Sequence, residues 1–505
     1  VVEAQVGSES GGARKSHGVD LTDLRRRALG GSFWTVFGLV ATNLLRLAGN
    51  VVLARLLFPE AFGLMALAQV VIQGLWLFSD VGTGPAIIQS KRGDDPAFLD
   101  TAWTLQLARG CALCLVTFAF AVPVSSFYGA TDPLARDLVY YLPALGLSAI
   151  MDGAVSTRLH SYGRHLKVRQ LTLLALFDQA VGVVVMVAVA WVHPSVWALI
   201  AGTLVRCALR AVLSHKVLEG PRNRLRWDRD AGHALLRFGK WVFVSTMLTF
   251  LATQADRLIF GRLVTLEQLG VYGMALALAG MPVFALTKVG STIVFPVLSR
   301  LGRGAQQTRE AVRVRGLLVV GGAAFLSAIL PAGPLLIELL YDPRYAAAGW
   351  ILQLLLVGGW FQVLEAPNTS FLLARGETRL VALGNGAKLV GIAALLPLGF
   401  ALHGFAGAIA GVALADAAKY LTTAALVRRR GLPVLLLDLA TSVLVLAACL
   451  LGSGAGSLAR EGGAGVLLAL LVSAGVGGAP WVGVAALGWR CWPQLRDAVA
   501  VARPS

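Results

Sequence analysis

Along most of this chain the polar residues come in short clusters and the apolar residues in long runs. From about Gly31 to Gly488 the runs recur with only brief gaps. Each is close to the roughly 20 residues that carry an α-helix across the hydrocarbon of a bilayer. Fourteen such runs can be counted, over 31–53, 61–84, 102–122, 137–157, 171–192, 195–215, 237–259, 270–297, 315–339, 347–373, 380–401, 404–426, 434–453 and 464–488. The pattern predicts an all-α polytopic membrane protein. Little chain remains outside the runs for a soluble catalytic domain.

Composition agrees. Of the 505 residues 57% are hydrophobic and 14% charged, where soluble domains carry roughly a quarter charged. The mean hydropathy is +0.72. A net charge of +17 would point to nucleic acid if the basic residues shared one face. They alternate by loop instead. With the N-terminus placed inside, beside Arg25, Arg26 and Arg27, the inside loops hold Lys91 and Arg92; Arg158, Arg164, Lys167 and Arg169; and Lys216, Arg222, Arg224, Arg226 and Arg229. Farther on they hold Arg300, Arg303, Arg309, Arg313 and Arg315; Arg375 and Arg379; Arg428, Arg429 and Arg430; and Arg490 and Arg496. The outside loops hold only Arg55, Arg136, Arg262, Arg344 and Arg460. This is the bias that sets membrane orientation. It places both termini in the cytoplasm of a multi-pass protein of the cytoplasmic membrane and excludes nucleic acid as a partner. The short outside loops also argue against a polymerase or ligase, which needs external chain to hold catalytic groups.

A duplication organises the runs. Trp241 stands 207 residues after Trp34; at the same spacing Arg262 follows Arg55, Leu263 follows Leu56, Glu267 follows Glu60 and Gly270 follows Gly63. A second set is spaced by 213, pairing Asp152 with Glu365, Ser156 with Thr369 and Gly163 with Gly376. Copies of six spans have the same orientation, so an axis along the membrane normal relates them. The expected division is a basic, disordered tail over 1–29, a first six-helix bundle over 30–217, a basic linker over 218–234, a second bundle over 235–430, an extra helix pair over 431–490 and a tail over 491–505. Two parallel bundles imply binding between them near the midplane, with rocking that exposes the site to each side in turn.

A charge at mid-bilayer costs roughly 2.5–3.5 kcal/mol on insertion scales and normally faces a bundle interior or an aqueous cavity. The polar positions here fall in helical stripes: Asn43, Arg46 and Asn50; Gln69, Gln73, Trp76 and Asp80; Ser148, Asp152 and Ser156; Gln362, Glu365 and Thr369; and Ser245, Thr249, Thr253, Asp256 and Arg257. The candidate substrate cavity is therefore Asn43, Arg46, Asn50, Gln73, Asp80, Arg109, Asp152, Asp178, Arg206, Thr253, Lys288, Glu365 and Lys388. Its cations suit an anionic ligand such as a pyrophosphate or acidic sugar, and its carboxylates suit proton coupling. For Arg46, Arg109, Arg206, Lys288 and Lys388, structural pairing with Asp80, Asp152, Asp178 or Glu365 is an equal alternative. Lys240, Arg210 and Lys419 read as snorkelling to the cytoplasmic interface, and Asp416 with Lys419, three apart, as a local pair. The five cysteines, Cys111 and Cys114 among them, lie without histidine partners and read as small hydrophobes. No metal or cofactor is expected. His193 and His403 read as turn residues. The segment 221–230, with Trp227 among arginines, reads as an interfacial amphipath on the anionic inner leaflet.

Gly30-Gly31-Ser32-Phe33-Trp34, Leu53-Ala54-Arg55-Leu56-Leu57-Phe58-Pro59-Glu60-Ala61-Phe62-Gly63-Leu64, Asp80-Val81-Gly82-Thr83-Gly84-Pro85-Ala86-Ile87-Ile88-Gln89, Asp94-Asp95-Pro96 and Thr101-Ala102-Trp103 resemble the polysaccharide transporter branch of the multidrug/oligosaccharidyl-lipid/polysaccharide flippase superfamily. The resemblance is most specific over 30–130 and extends to about 430. It implies two six-helix bundles around a V-shaped cavity and Wzx-like export of undecaprenyl-pyrophosphate-linked repeat units for exopolysaccharide, O-antigen or capsule. It also implies membrane lipids, a polysaccharide polymerase and chain-length machinery as partners. A drug or metabolite antiporter of the same superfamily, a lipid II flippase or scramblase-type scaffold, and a membrane-embedded polymerase or ligase stay open as alternatives.

Overall fold

The computed structural model describes residues 21–79, 82–289, 298–299 and 305–491. Among them the backbone is helical almost throughout, with no strand. The first bundle is α1 (Leu21–Leu56), α2 (Pro59–Phe78), the short α3 (Thr83–Gln89), α4 (Pro96–Gly129), α5 (Leu138–Gly153), the short α6 (Arg158–Arg164), α7 (Val168–Val192) and α8 (Val196–Lys216). The second is α9 (Arg229–Leu263), α10 (Leu266–Val289), α11 (Ala305–Leu340), α12 (Ala348–Ala374) and α13 (Thr378–Arg429), followed by the appended α14 (Leu435–Glu461) and α15 (Val466–Cys491).

Local chemistry starts these helices where they start. Asp95 accepts from the Ala97 amide at 3.0 Å and Pro96 occupies the first turn of α4, a side-chain cap followed by the one residue that has no amide to satisfy. Eleven described helices are long and apolar enough to cross a bilayer. One of them, α13, runs 52 residues and breaks at His403 and Gly404, where Gly404 takes φ +60°; glycine tolerates that left-handed backbone at no steric cost. Counting both limbs of α13 and adding α9 and α15 brings the described crossings to the fourteen expected. Three boundaries differ from expectation. Helix α1 begins at Leu21, inside the expected tail, because the stretch is rich in leucine, arginine and alanine, all strong helix formers. Helix α9 begins at Arg229, shortening the linker, since Asp228 caps it by accepting from the Asp230 amide. The short α3 and α6 fall where loops were read.

Within the first bundle α1 packs on α7, α7 on α8, and α5 on α4 and α8; within the second, α12 packs on α10, α11 and α13, and α14 and α15 lie against α11 and each other. The bundles meet where α2 packs on α10 and where α9 packs on α2 and α4, and the backbones come closest between α2 and α10. There a Cβ added at Gly63 would sit 2.0 Å from the Leu266 carbonyl oxygen, and one added at Gly270 would sit 1.9 Å from the Pro59 carbonyl oxygen. These glycines are the pair related by the 207-residue spacing, and their contact is reciprocal, as a two-fold relation between copies requires. Around them the Leu266 amide donates to Asp132 Oδ2 at 3.0 Å, Thr131 Oγ1 donates to the Arg262 carbonyl at 2.9 Å and the buried Tyr345 hydroxyl donates to the Leu57 carbonyl at 3.2 Å. These contacts close the end of the molecule away from the arginine-rich loops.

At the arginine-rich end the bundles are joined by the strap 217–228. The Arg158 guanidinium, 8% exposed, donates to the carbonyls of His215, Leu218 and Pro221. Asn223 accepts from Ser156 Oγ and donates to Thr157 Oγ1, both at 2.6 Å. Arg92 bridges Asp95 and Asp228, each at 2.7 Å, and by these hydrogen bonds holds both carboxyls below the usual carboxylate range.

The glycine crossing makes a prediction. Gly63→Ala forces a methyl against backbone and should cost about 2 kcal/mol, in the range of overpacked cores, seen as a lower melting temperature of the purified protein. Gly321→Ala, where nothing lies within 4 Å of the added atom, should be neutral or slightly stabilising, since alanine favours helix over glycine. Equal melting of the two variants would show that the close approach does not exist.

Candidate functional site: two charged cavities

In the second bundle, Gln362, Glu365 and Thr369 stand at i, i+3 and i+7 on α12, so helical geometry puts them on one face. That face meets both limbs of α13. Lys388 on the first limb holds its Nζ 2.6 Å from Asp416 Oδ1 on the second, and Gln362 Nε2 donates to the other Asp416 oxygen at 3.0 Å. Lys419 Nζ lies 3.3 Å from Glu365 Oε2, and Thr369 donates to Glu365 Oε1. These groups line two adjoining chambers of about 260 and 540 Å³ that share Thr253, Thr287, Gln362, Lys388 and Asp416. In the smaller chamber the fully buried Tyr272 donates to Asp256 Oδ2 at 2.5 Å. Two lysines and three carboxylates line these chambers, and Arg257, next to Asp256, lies close enough to act on Tyr272 as well.

The first bundle is richer in arginine. A pocket of about 280 Å³ is lined by Trp76, Gln106, Arg109, Asp152, His160 and Arg210 among others. Arg109 lies over the Trp76 ring at 4.4 Å, donates to Ser79 Oγ at 2.9 Å and to the Trp76 carbonyl at 2.7 Å. Beside the pocket, the buried Asp178 sits 4.0 Å from Arg210. Arg46 on α1 and Arg206 on α8 are close enough to repel, and neither forms an ion pair among the described residues. Among the described residues, four arginines and two aspartates, Asp152 and Asp178, lie in or beside this pocket.

The expected stripes therefore do not meet in one chamber. Glu365, Lys388 and Thr253 line the second-bundle cavity; Arg109 and Asp152 line the first-bundle pocket, with Asp178, Arg206 and Arg46 adjoining it. Gln73 accepts from Gln254 at 3.1 Å across the bundles. Asn43 turns back to the Leu39 carbonyl of its own helix, Asn50 is half-buried on α1, and Lys288 is exposed at the end of α10. Asp80 lies outside the described residues. Three readings need correction. Asp416 and Lys419 do not pair with each other, because Asp416 meets Lys388 on the other limb of α13 and Lys419 meets Glu365 on α12; Lys419 is thereby held inside the bundle rather than snorkelling to the interface; and Arg210 is drawn to Asp178 rather than only to the interface.

With this geometry in hand, comparison with known proteins decides the family. A family described as "Polysaccharide biosynthesis protein" matches residues 52–346, more than half of the chain. The chain belongs to that family. It lies within the multidrug/oligosaccharidyl-lipid/polysaccharide flippase superfamily. The chain is 25% identical over 365 residues to the lipopolysaccharide biosynthesis protein WzxC of Escherichia coli (strain K12), covering 70% of this chain and 71% of that one. It is 23% identical over 280 residues to the succinoglycan biosynthesis transport protein ExoT of Rhizobium meliloti (strain 1021), covering 55% of each. Among solved structures it shares its fold with the lipid II flippase MurJ in an inward closed conformation, with a TM-score of 0.71, 12% identity and coverage of 92% of this chain and 99% of that one. An inward-facing multidrug resistance MATE family transporter gives 0.60 with 14% identity, covering 77% and 94%.

This polysaccharide-biosynthesis family member also holds a charge cluster that the loop pattern misplaced. Arg315, read as a loop residue, is 2% exposed inside α11, with Nη2 2.6 Å from Asp438 Oδ2 on α14. Tyr420 donates to the same oxygen at 2.5 Å, and Arg315 Nε donates to Asn368 Oδ1 at 3.1 Å. The cluster fastens α14 to the second bundle. Its one signal in the sequence is an acid, Asp438, within the leucine-rich start of an apolar run. Removing one partner of a buried pair costs about 3–5 kcal/mol, whereas replacing both by apolar groups is often neutral. Asp438→Ala should therefore sharply lower the melting temperature, while Arg315→Met with Asp438→Leu should recover part of that loss, the remainder reflecting the Tyr420 hydroxyl and the Asn368 side-chain carbonyl left without their partners. A single variant as stable as the double would show that the pair is not buried.

Proposed function

We propose that this chain is a flippase that carries an undecaprenyl-pyrophosphate-linked oligosaccharide across the cytoplasmic membrane for surface polysaccharide synthesis, by alternating access. The observation that carries the reading is the arginine pair beside the first-bundle pocket: Arg46 and Arg206 are close enough to repel, and neither has an ion pair among the described residues. Arginine's planar fork matches a diphosphate. The family and the lipopolysaccharide and succinoglycan proteins it resembles supply the substrate class. The arginine-rich end faces the cytoplasm by the positive-inside rule. In that orientation the Gly63–Gly270 crossing closes the outer side, and substrate enters from the inner leaflet onto the first-bundle arginines.

The second bundle serves coupling. A proton arriving at Asp416 or Glu365 competes with Lys388 or Lys419 for the carboxylate. A polymerase and its chain-length partners then consume the exported unit.

The test is export in a deletion strain complemented with variants. Arg46→Ala with Arg109→Ala should reduce surface polymer at least about tenfold, the loss of one charge-assisted contact or more, with lipid-linked units accumulating on the inner face. Lysine at both positions should restore part of the flux. Wild-type export by the double alanine variant would sink the reading, and units that reach the outer face unpolymerised would point to an enzyme acting after translocation.

A further inference from the structure

The strap between the bundles presents a surface that neither cavity uses. Its amides at Arg224, Arg226 and Asp228 donate to Asp100 Oδ1 at 3.0 Å, Thr104 Oγ1 at 3.1 Å and Thr101 Oγ1 at 2.9 Å. Every second amide is therefore spent on the first turns of α4, and a period of two alternates the side chains. Arg222, Arg224 and Arg226 fall on one side; Leu225 and Trp227 fall on the other. All five are exposed, Leu225 at 72% and Trp227 at 51%. None of the three arginines forms an ion pair among the described residues. The strap is tied down by α4, Arg158, Ser156 and Thr157, so these side chains need not move to be available.

The height of the strap identifies what it meets. Its anchor points, residues 100–104, are where the apolar run of α4 begins, and that is the level of the lipid headgroups. An exposed leucine and tryptophan beside three unneutralised arginines at that level fit the boundary between acyl chains and acidic headgroups: the rings and aliphatic groups enter the apolar margin and the guanidinium groups meet phosphate.

We propose that the strap 221–227 is a docking surface for acidic phospholipid of the leaflet at the arginine-rich end, with Arg222, Arg224 and Arg226 on the headgroup phosphates and Leu225 and Trp227 in the interfacial margin. The surface lies outside both cavities and does not depend on which substrate they carry. Because α9 begins at the end of the strap, the lipid contact bears on the one segment that links the two bundles at this end.

The full-length protein is reconstituted in phosphatidylcholine vesicles doped with brominated phosphatidylglycerol or brominated phosphatidylcholine, and the quenching assigned to Trp227 is taken as wild type less Trp227→Phe. Each basic side chain near an acidic surface raises association about fivefold, so phosphatidylglycerol should quench Trp227 at least about fivefold more effectively per lipid. Arg222→Gln/Arg224→Gln/Arg226→Gln should bring the two lipids to parity, and the triple lysine variant should keep the preference. All three proteins should melt alike in phosphatidylcholine, because the arginine side chains form no ion pair among the described residues; if the glutamine variant does not fold, the wild-type comparison decides alone. Equal quenching in the wild type, or a preference that survives the glutamine exchange, overturns the proposal. So does a Trp227 that neither lipid quenches, which would assign this face to a protein partner.

Discussion

Lys388 and Asp416 face each other at 2.6 Å between the two limbs of α13, and what makes that contact decisive is the medium around it. A charge in hydrocarbon has no water to fall back on, so it is carried only where another group compensates it. The same constraint sets Lys419 against Glu365, Arg210 near Asp178 and Arg315 against Asp438. Each contact joins two different helices. In a soluble bundle the apolar stripe decides which helices touch; here lipid and core are equally apolar, and polar contacts and close glycine packing take over that selection.

Glycine packing supplies the other half. Gly63 and Gly270 let α2 and α10 cross backbone to backbone, so the bundles share one tight junction at one end and a strap at the other. The strap is tied to the first bundle: its amides donate to α4, its carbonyls accept from Arg158, and its Asn223 side chain bonds Ser156 and Thr157. The second bundle is thus hung from a fixed bracket, with α9 as its first member.

What could be read from the sequence followed from local rules. Run length gave the crossings, including the break at His403 and Gly404, where a short polar gap separates two runs. The 207-residue spacing singled out the two glycines that meet. What could not be read was pairing. Asp416 and Lys419 stand three apart, and on an isolated helix they would bind each other; their true partners are 28 and 54 positions away in the chain, at Lys388 and Glu365. Arg315 sits next to a basic loop, and nothing local distinguishes an arginine in that loop from one a turn farther in that meets Asp438. The stripes on α1, α2, α5, α9 and α12 were visible as stripes, but whether they line one chamber or two depends on how far the bundles stand apart, which periodicity does not encode.

The turn at His403 and Gly404 has a consequence for motion. It joins the limbs of α13 with no loop between them, so Lys388 and Asp416 belong to one hairpin and travel together whenever the second bundle tilts. No rocking of one bundle past the other can pull them apart. Their separation is open only to chemistry: a competing ion or a proton has to arrive. The hairpin therefore works as a latch indifferent to mechanical load and responsive to charge, while Gln73 and Gln254, which reach across between the bundles, have the reverse character.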